Sequence, residues 1–244
     1  MKHLVLIILL SSNTALADDN CLHGCPIGSP EDNQKIEREI YTLSNNKWTK
    51  LADWVAYHVT KSTIGPSKSR NWRSDPDIPS EDTLETGDYK NAHNELKTDR
   101  GHQVPLASFS GTRHWRTTNY LSNITPQKSN LNQGAWAKLE TAVRQAANND
   151  EGLFVMTGPL YDNSTEKLPK ADEYHKVPTA YWKVVANNEG QVTVFVFNQE
   201  LPRSAKYCEQ ILSLNKVEQM AELDFFPDVL GWPLGNLEAK LGCN

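Results

Sequence analysis

"DRGHQVPLASFSGTRHWRTTNYLSNITPQKSNLNQGAWAKLE", residues 99–140, decides how this chain is read. It opens with His102 pressed against Gly101, Arg100 and Asp99 and runs on into an apolar stretch. On chemistry alone His102 is equally a hydrogen-bonded core residue, a metal ligand or a proton carrier. The stretch ends in a helix. In "SNLNQGAWAKLETAVRQAANND" Ala135, Leu139, Val143 and Ala146 form an apolar stripe at helical spacing, and Ser129 or Asn130 can cap its start. The adjacent row, four residues apart, is Asn132, Trp136, Glu140 and Arg144, three of them polar.

The flanking sequence reads mainly as strands. "REIYTLSNN" alternates from Arg38 towards an Asn-Asn turn, and "WTKLADWVAYHVTKST" is apolar and β-branched. Residues 64–89 carry Pro, Gly, Ser and Asp throughout and read as a long functional loop. "QVPLASF" reads as a short strand or loop, and "GLFVMTGPLY" as a buried strand. "TAYWKVVANNEGQVTVFVFNQ" reads as a hairpin turning at residues 187–190. "SAKYCEQILSL" and "KVEQMAEL" are expected to be short helices. Strands in antiparallel order with inserted helices predict one α+β domain over residues 18–244, with no internal boundary. The 244 residues, 38% hydrophobic, suffice for one sizeable core.

Residues 1–17 are expected to be a signal peptide. Lys2 supplies a charged start, the apolar run from Leu4 to Leu10 is too short to span a bilayer, and Ala15-Leu16-Ala17 fits a cleavage site. Nothing else is long and apolar enough for a membrane span, so the mature chain is expected to be secreted, extracellular or periplasmic. Export permits disulfides between Cys21, Cys25, Cys208 and Cys243. Three connectivities exist and sequence alone does not choose among them. Local pairing of Cys21 with Cys25 is the expected one. It leaves Cys208–Cys243, a loop worth roughly 3–4 kcal/mol in the chain-entropy model. Zinc is the competing reading of Cys21, His23 and Cys25, but no second ligand pair stands at finger spacing.

The net charge of −5 argues against wholesale nucleic-acid binding. A local basic site is still compatible, because from Lys97 to Lys128 five Lys/Arg meet one acid, Asp99. There is no H-E-x-x-H, Walker loop, G-x-S-x-G or dinucleotide fingerprint. "SRNWR" (69–73), "DRGH" and the Asn-rich segment 119–140 together supply a phosphodiester-cleaving kit. A neutral histidine can take a proton from water. Arginine pairs with phosphate oxygens, and a magnesium ion that keeps most of its waters needs few oxygen ligands.

The combination and order of DRGH, SNITPQ and LNQGAW resemble the active-site region of the Serratia-type non-specific DNA/RNA endonucleases of the ββα-metal superfamily. The similarity extends through "RNWRSDP", "TGPLY" and "YWKV" and covers essentially the whole mature chain. It implies a ββα-metal core on a mainly antiparallel sheet flanked by helices. It implies cleavage of single- and double-stranded DNA and RNA to 5′-phosphate ends, with Mg2+ as cofactor, Mn2+ as a substitute, and the capacity to form a homodimer. By resemblance His102 is the general base and Asn132 the single protein ligand of the ion. Glu140 is the acid holding its waters, Arg70 the phosphate-binding arginine and Asn123 a supporting residue. Arg144 is a further basic contact, and Asp99 and Arg100 are scaffold or substrate contacts.

Each role has a plainer rival. Asn123-Ile124-Thr125 and Asn163-Ser164-Thr165 are glycosylation sequons. Arg70 beside Trp72 can be a surface cation–π pair, and Glu140 with Arg144 an ordinary i,i+4 ion pair. His23, His58, His93, His114 and His175 read as structural or surface residues. Asn132 and Glu140 lie about 12 Å apart along a helix axis if both are helical, so Glu140 would act on the ion through water.

Overall fold

A computed structural model describes residues 20–148, 152–163 and 166–243. The leader therefore lies outside the described residues, as does part of the 163–165 sequon. Seven strands form one antiparallel sheet: β1 (Gln34–Glu37), β2 (Thr42–Asn46), β3 (Leu51–Val59), β6 (Leu153–Leu160), β7 (Ala180–Ala186), β8 (Val192–Asn198) and β9 (Ile211–Leu212), in that spatial order. A separate ribbon pairs β4 (Thr98–His102) with β5 (Ile124–Lys128). Five helices accompany them: α1 (Ala92–Leu96), α2 (Leu106–Phe109), α3 (Ser129–Leu131), α4 (Ala137–Asn148) and α5 (Leu214–Ala221).

Both faces of the central sheet are covered, which explains why β6 and β7 are apolar almost without alternation. Alternate side chains still go to opposite sides. Tyr181 and Val185 meet Trp136, Leu139 and Val143 of the helix on one face. Trp182 and Val184 meet Val217 and Phe225 on the other. Lys183 shares the parity of Tyr181 and Val185 and is therefore carried under α4, where it is only 1% exposed. A third cluster, including Leu84, Tyr89, Leu121 and Ile124, supports the ribbon.

The α+β architecture agrees with the sequence reading, and local departures have physical causes. The stretch from Arg38 is not one strand, since β1 turns at residues 38–41 and returns as β2. "QVPLASF" holds the helical turn α2, because Pro105 suits the position just before it. "DRGH" and "ITPQK" form the ribbon although neither alternates in hydropathy. Its Gly101 is required by packing, since a Cβ there would lie 2.5 Å from Gln127 Oε1. In "SAKYCEQILSL" the end is the two-residue strand β9, which caps the sheet beside β8.

The long helix is broken near its start. Asn132–Trp136 is a π-turn in which Gly134 leaves helical geometry (φ −107°, ψ −116°), and a Cβ on Gly134 would lie 2.8 Å from the Arg203 carbonyl oxygen. Neither Ser129 nor Asn130 caps it. Ser129 is already the first helical residue, and its hydroxyl lies 2.7 Å from Asp99 Oδ1. Cys21–Cys25 and Cys208–Cys243 are both disulfides. No described helix is long and apolar enough to cross a membrane.

Candidate active site

A cleft of roughly 480 Å³ opens between the ribbon, the start of the broken helix and the 70–72 loop. Arg70, Trp72, Asp99, Arg100, His102, Asn132 and Glu140 all line it. Residues brought together by motif are thus brought together in space, from three elements.

His102 ends β4 and its imidazole is fixed by two contacts. Nε2 lies 3.2 Å from Asn119 Oδ1, and the ring lies tilted against Trp72 with centroids 5.1 Å apart. An amide oxygen accepts, so Nε2 carries the hydrogen and Nδ1 keeps its lone pair. Burial pushes the His102 pKa down from 6.5 to about 4; the Asn119 acceptor opposes this and the nearby Arg70 charge adds to it. The imidazole is therefore neutral across the physiological range. Asn119, 1% exposed, had no signature of its own in "TTNYLSN".

Asn123, expected as a supporting residue, is buried and clamps the backbone next to the cleft. It is 0% exposed, which also excludes a glycan on this fold. Its Oδ1 accepts from Val104 N (2.8 Å), and its Nδ2 donates to the carbonyls of Val104 (3.1 Å) and Thr118 (2.8 Å). It thus fixes the chain directly after His102.

The start of the broken helix is organised by Asp99, on the same strand as His102. Asn132 Nδ2 and Gln133 Nε2 donate to its Oδ2 at 3.0 and 2.8 Å. Ser129 Oγ and His93 Nδ1 lie 2.7 and 3.0 Å from its Oδ1. Burial opposes ionisation of Asp99, but these hydrogen bonds outweigh it and hold the carboxyl below its usual range. With Nδ2 of Asn132 committed, its carbonyl oxygen is the end left for a cation. His93 lines the same cleft, so its reading as a plain surface residue is incomplete.

Arg100 lies over both Tyr89 and Trp72, with its guanidinium carbon 5.1 and 5.9 Å from the ring centroids, and donates to the Thr86 carbonyl at 3.0 Å. The cation over Trp72 is therefore Arg100. Arg70 is exposed at the cleft mouth. Its loop is clipped in place by Arg73 N to Asn119 O (3.2 Å) and Leu121 N to Arg73 O (3.0 Å).

Glu140 sits one helical segment deeper. Burial raises its pKa, opposed first by Lys183, then by Arg144 and by Arg70. Lys183 is a residue the sequence did not single out. Its Nζ lies 4.0 Å from the Trp136 ring centroid and 3.3 Å from Tyr57 Oη. Burial pulls its pKa to about 8, Glu140 opposing and Arg144 adding. Arg144 does not line the cleft. It donates to Thr141 Oγ1 at 2.9 Å, and no ion pair within 4.0 Å joins it to Glu140 among the described residues. The structure gives Arg144 no such ion pair with Glu140, although its charge still lowers the Glu140 pKa. Three carboxylates, Asp88, Asp172 and Glu173, lie close together elsewhere, and none lines the cleft.

Similarity to known proteins agrees with this geometry. The family model described as DNA/RNA non-specific endonuclease matches residues 20–231. A nuclease of Serratia marcescens is 46% identical over 99% of this chain and 94% of its own length. Mitochondrial endonuclease G of Homo sapiens is 26% identical over 87% of this chain and 75% of its own. A solved EndoG/EndoGI complex contains a chain of the same fold, with a TM-score of 0.69 and 24% identity, over 80% of this chain and 86% of that one. A match of such extent leaves one assignment: the chain is a nuclease and belongs to the DNA/RNA non-specific endonuclease family.

Proposed function

We propose that this protein is an exported, Mg2+-dependent endonuclease that hydrolyses single- and double-stranded DNA and RNA with little sequence preference, leaving 5′-phosphate ends. One observation carries the reading. A single cleft is lined both by an imidazole whose Nε2 is held by Asn119 and by an amide whose nitrogen end is already committed to Asp99.

The donor set fits a hard cation. Asn132 offers an amide oxygen, and Asp99 and Glu140 are carboxylates suited to holding its waters. Mg2+ fits this set, and Mn2+ is expected to substitute. When bound, the ion offsets negative charge on the phosphate and on the departing oxygen.

The protein's own groups do the rest. Nδ1 of His102 takes a proton from the attacking water as its oxygen bonds to phosphorus and the bond to the 3′ oxygen breaks. Asn119 holds the imidazole in the tautomer that leaves Nδ1 open. Arg70 pairs with the phosphate oxygens, and Arg100, braced by two rings, contacts the strand. Phosphate contacts carry little sequence information, which accounts for breadth of substrate.

The test is digestion of supercoiled plasmid, single-stranded DNA and RNA with Mg2+, with Mn2+ and with EDTA, alongside a small chromogenic phosphodiester. Cutting of all three polymers that EDTA abolishes, with 5′-phosphorylated products, supports the reading. Cleavage of the small ester alone, or retardation of DNA without shortening, contradicts it.

A further inference from the structure

The basic run between Lys97 and Lys128 is not one surface. Lys128 is tied to Glu166 at 3.0 Å and Lys97 reaches only the Asn94 carbonyl. Arg113 and Arg116 do not line the cleft. Beside the cleft a second groove of roughly 440 Å³ is lined by Gly65, Ser67, Lys68 and Ser110 together with Arg70, Leu106 and Ala107. The last three also line the cleft, so the two depressions are continuous.

The floor of this groove is built. Ser110 Oγ donates to the Gly65 carbonyl at 2.8 Å and accepts from Gly65 N at 3.1 Å, and Gly111 N donates to Thr63 O at 2.9 Å. These bonds lock the 63–65 loop to the end of α2. At the outer end Trp115 organises two cations: Lys68 Nζ lies 5.6 Å and the Arg116 guanidinium carbon 4.7 Å from its ring centroid. Lys68, Arg113 and Arg116 are exposed, and none has a carboxylate partner among the described residues. No Asp or Glu occurs between Asp53 and Asp75, nor between Asp99 and Glu140. In a chain of net charge −5 this face is rich in cations, and Glu39 reaches it at His114 Nδ1, 3.6 Å away, with His114 Nε2 in turn 2.7 Å from Arg113 Nε.

We infer that the groove from Arg70 past Lys68 to Trp115 and Arg116 is a track for the polynucleotide strand leaving the cleft, its cations pairing with phosphates flanking the scissile one. This rests on the proposed nuclease reading and adds an extended substrate subsite to it. The ring of Trp115 holds the cations in register while leaving their N–H groups for phosphate oxygens. Bases are not read along such a track, so it favours long chains over short ones regardless of sequence.

The experiment compares the parent with Lys68→Ser, Arg116→Ser and the double variant on three substrates: long duplex DNA, long single-stranded DNA and bis(p-nitrophenyl) phosphate. The double variant should show a KM for both polymers raised about 5–50-fold near 0.15 M salt. Its kcat should be unchanged, and so should its rate on the small diester. Its plot of log kcat/KM against log salt on duplex should be shallower by about 1.8, two counterions' worth. Unchanged polymer KM and salt slope overturn the track. So does an equal loss on the small diester, which would make these residues part of the chemistry or the scaffold. A parent that cuts no polymer overturns the nuclease reading itself, an outcome distinct from either.

Discussion

Asn132 Nδ2 donates to Asp99 Oδ2 at 3.0 Å, so an acid in the DRGH strand determines which end of an amide on the following helix faces the cleft. The same carboxylate takes Gln133 Nε2 at 2.8 Å, just before the helix leaves α geometry at Gly134. The proposed metal-binding amide is thus oriented by a residue that need not touch the ion.

Asp99→Ala frees the Asn132 amide to rotate. Loss of such an orienting partner typically costs 10–100-fold in metal affinity or activity. The Mg2+ concentration for half-maximal plasmid cleavage should rise by about that factor, while the rate at saturating Mg2+ falls less. An unchanged Mg2+ requirement would show that Asn132 is oriented without Asp99.

Gly134→Ala tests the break in the helix. The added Cβ would lie 2.8 Å from the Arg203 backbone oxygen, which has no flexible side chain to move aside. Overpacking of this kind costs about 1–3 kcal/mol. Thermal unfolding should show a lower Tm, and the Mg2+ requirement should rise as Asn132 shifts. A variant as stable as the parent would mean that the helix can straighten there.

The pH profile follows from His102. Its folded pKa is depressed to about 4, so the imidazole loses its proton at lower pH than a free histidine and is neutral from about pH 5 upward. An unperturbed histidine would place this limb near 6.5. The acid limb of kcat/KM, which reports the free enzyme, should therefore lie near pH 4, with no step around 6.5. A single inflection at 6.5 would show that burial of the ring is relieved in solution.

Lys183→Met removes the buried cation under Glu140. Burial already raises the Glu140 pKa and Lys183 is the foremost opposing charge, so the carboxyl should climb further. It then binds its proton at higher pH, and activity should fall off earlier as pH drops, above the limb set by His102. Circular dichroism and thermal unfolding check that the fold is kept. A variant with the parent's pH profile would remove Lys183 from the account.

Much of the site was legible because its residues are consecutive in motif. His102, Asn132, Glu140, Arg70 and Arg100 were each read from DRGH, SRNWR and the Asn-rich helix, and all line one cleft. Asn119, His93 and Lys183 were not, because their contacts depend on segments 17, 6 and more than forty residues away meeting in space. The sheet was visible in its apolar strands. The ribbon was not, since Gly101 and Pro126 interrupt any alternation. The break falls at Gly134, where the Arg203 backbone passes too close for a Cβ, an approach no local pattern encodes.

The proposed transfer of a proton from water to one neutral imidazole is measured most directly by His102→Ala. Plasmid cleavage with saturating Mg2+ should slow by about 10²–10⁴-fold, the usual contribution of a general base, with unfolding temperature and DNA affinity in EDTA close to the parent's. A folded variant that cuts within a few-fold of the parent would contradict the account.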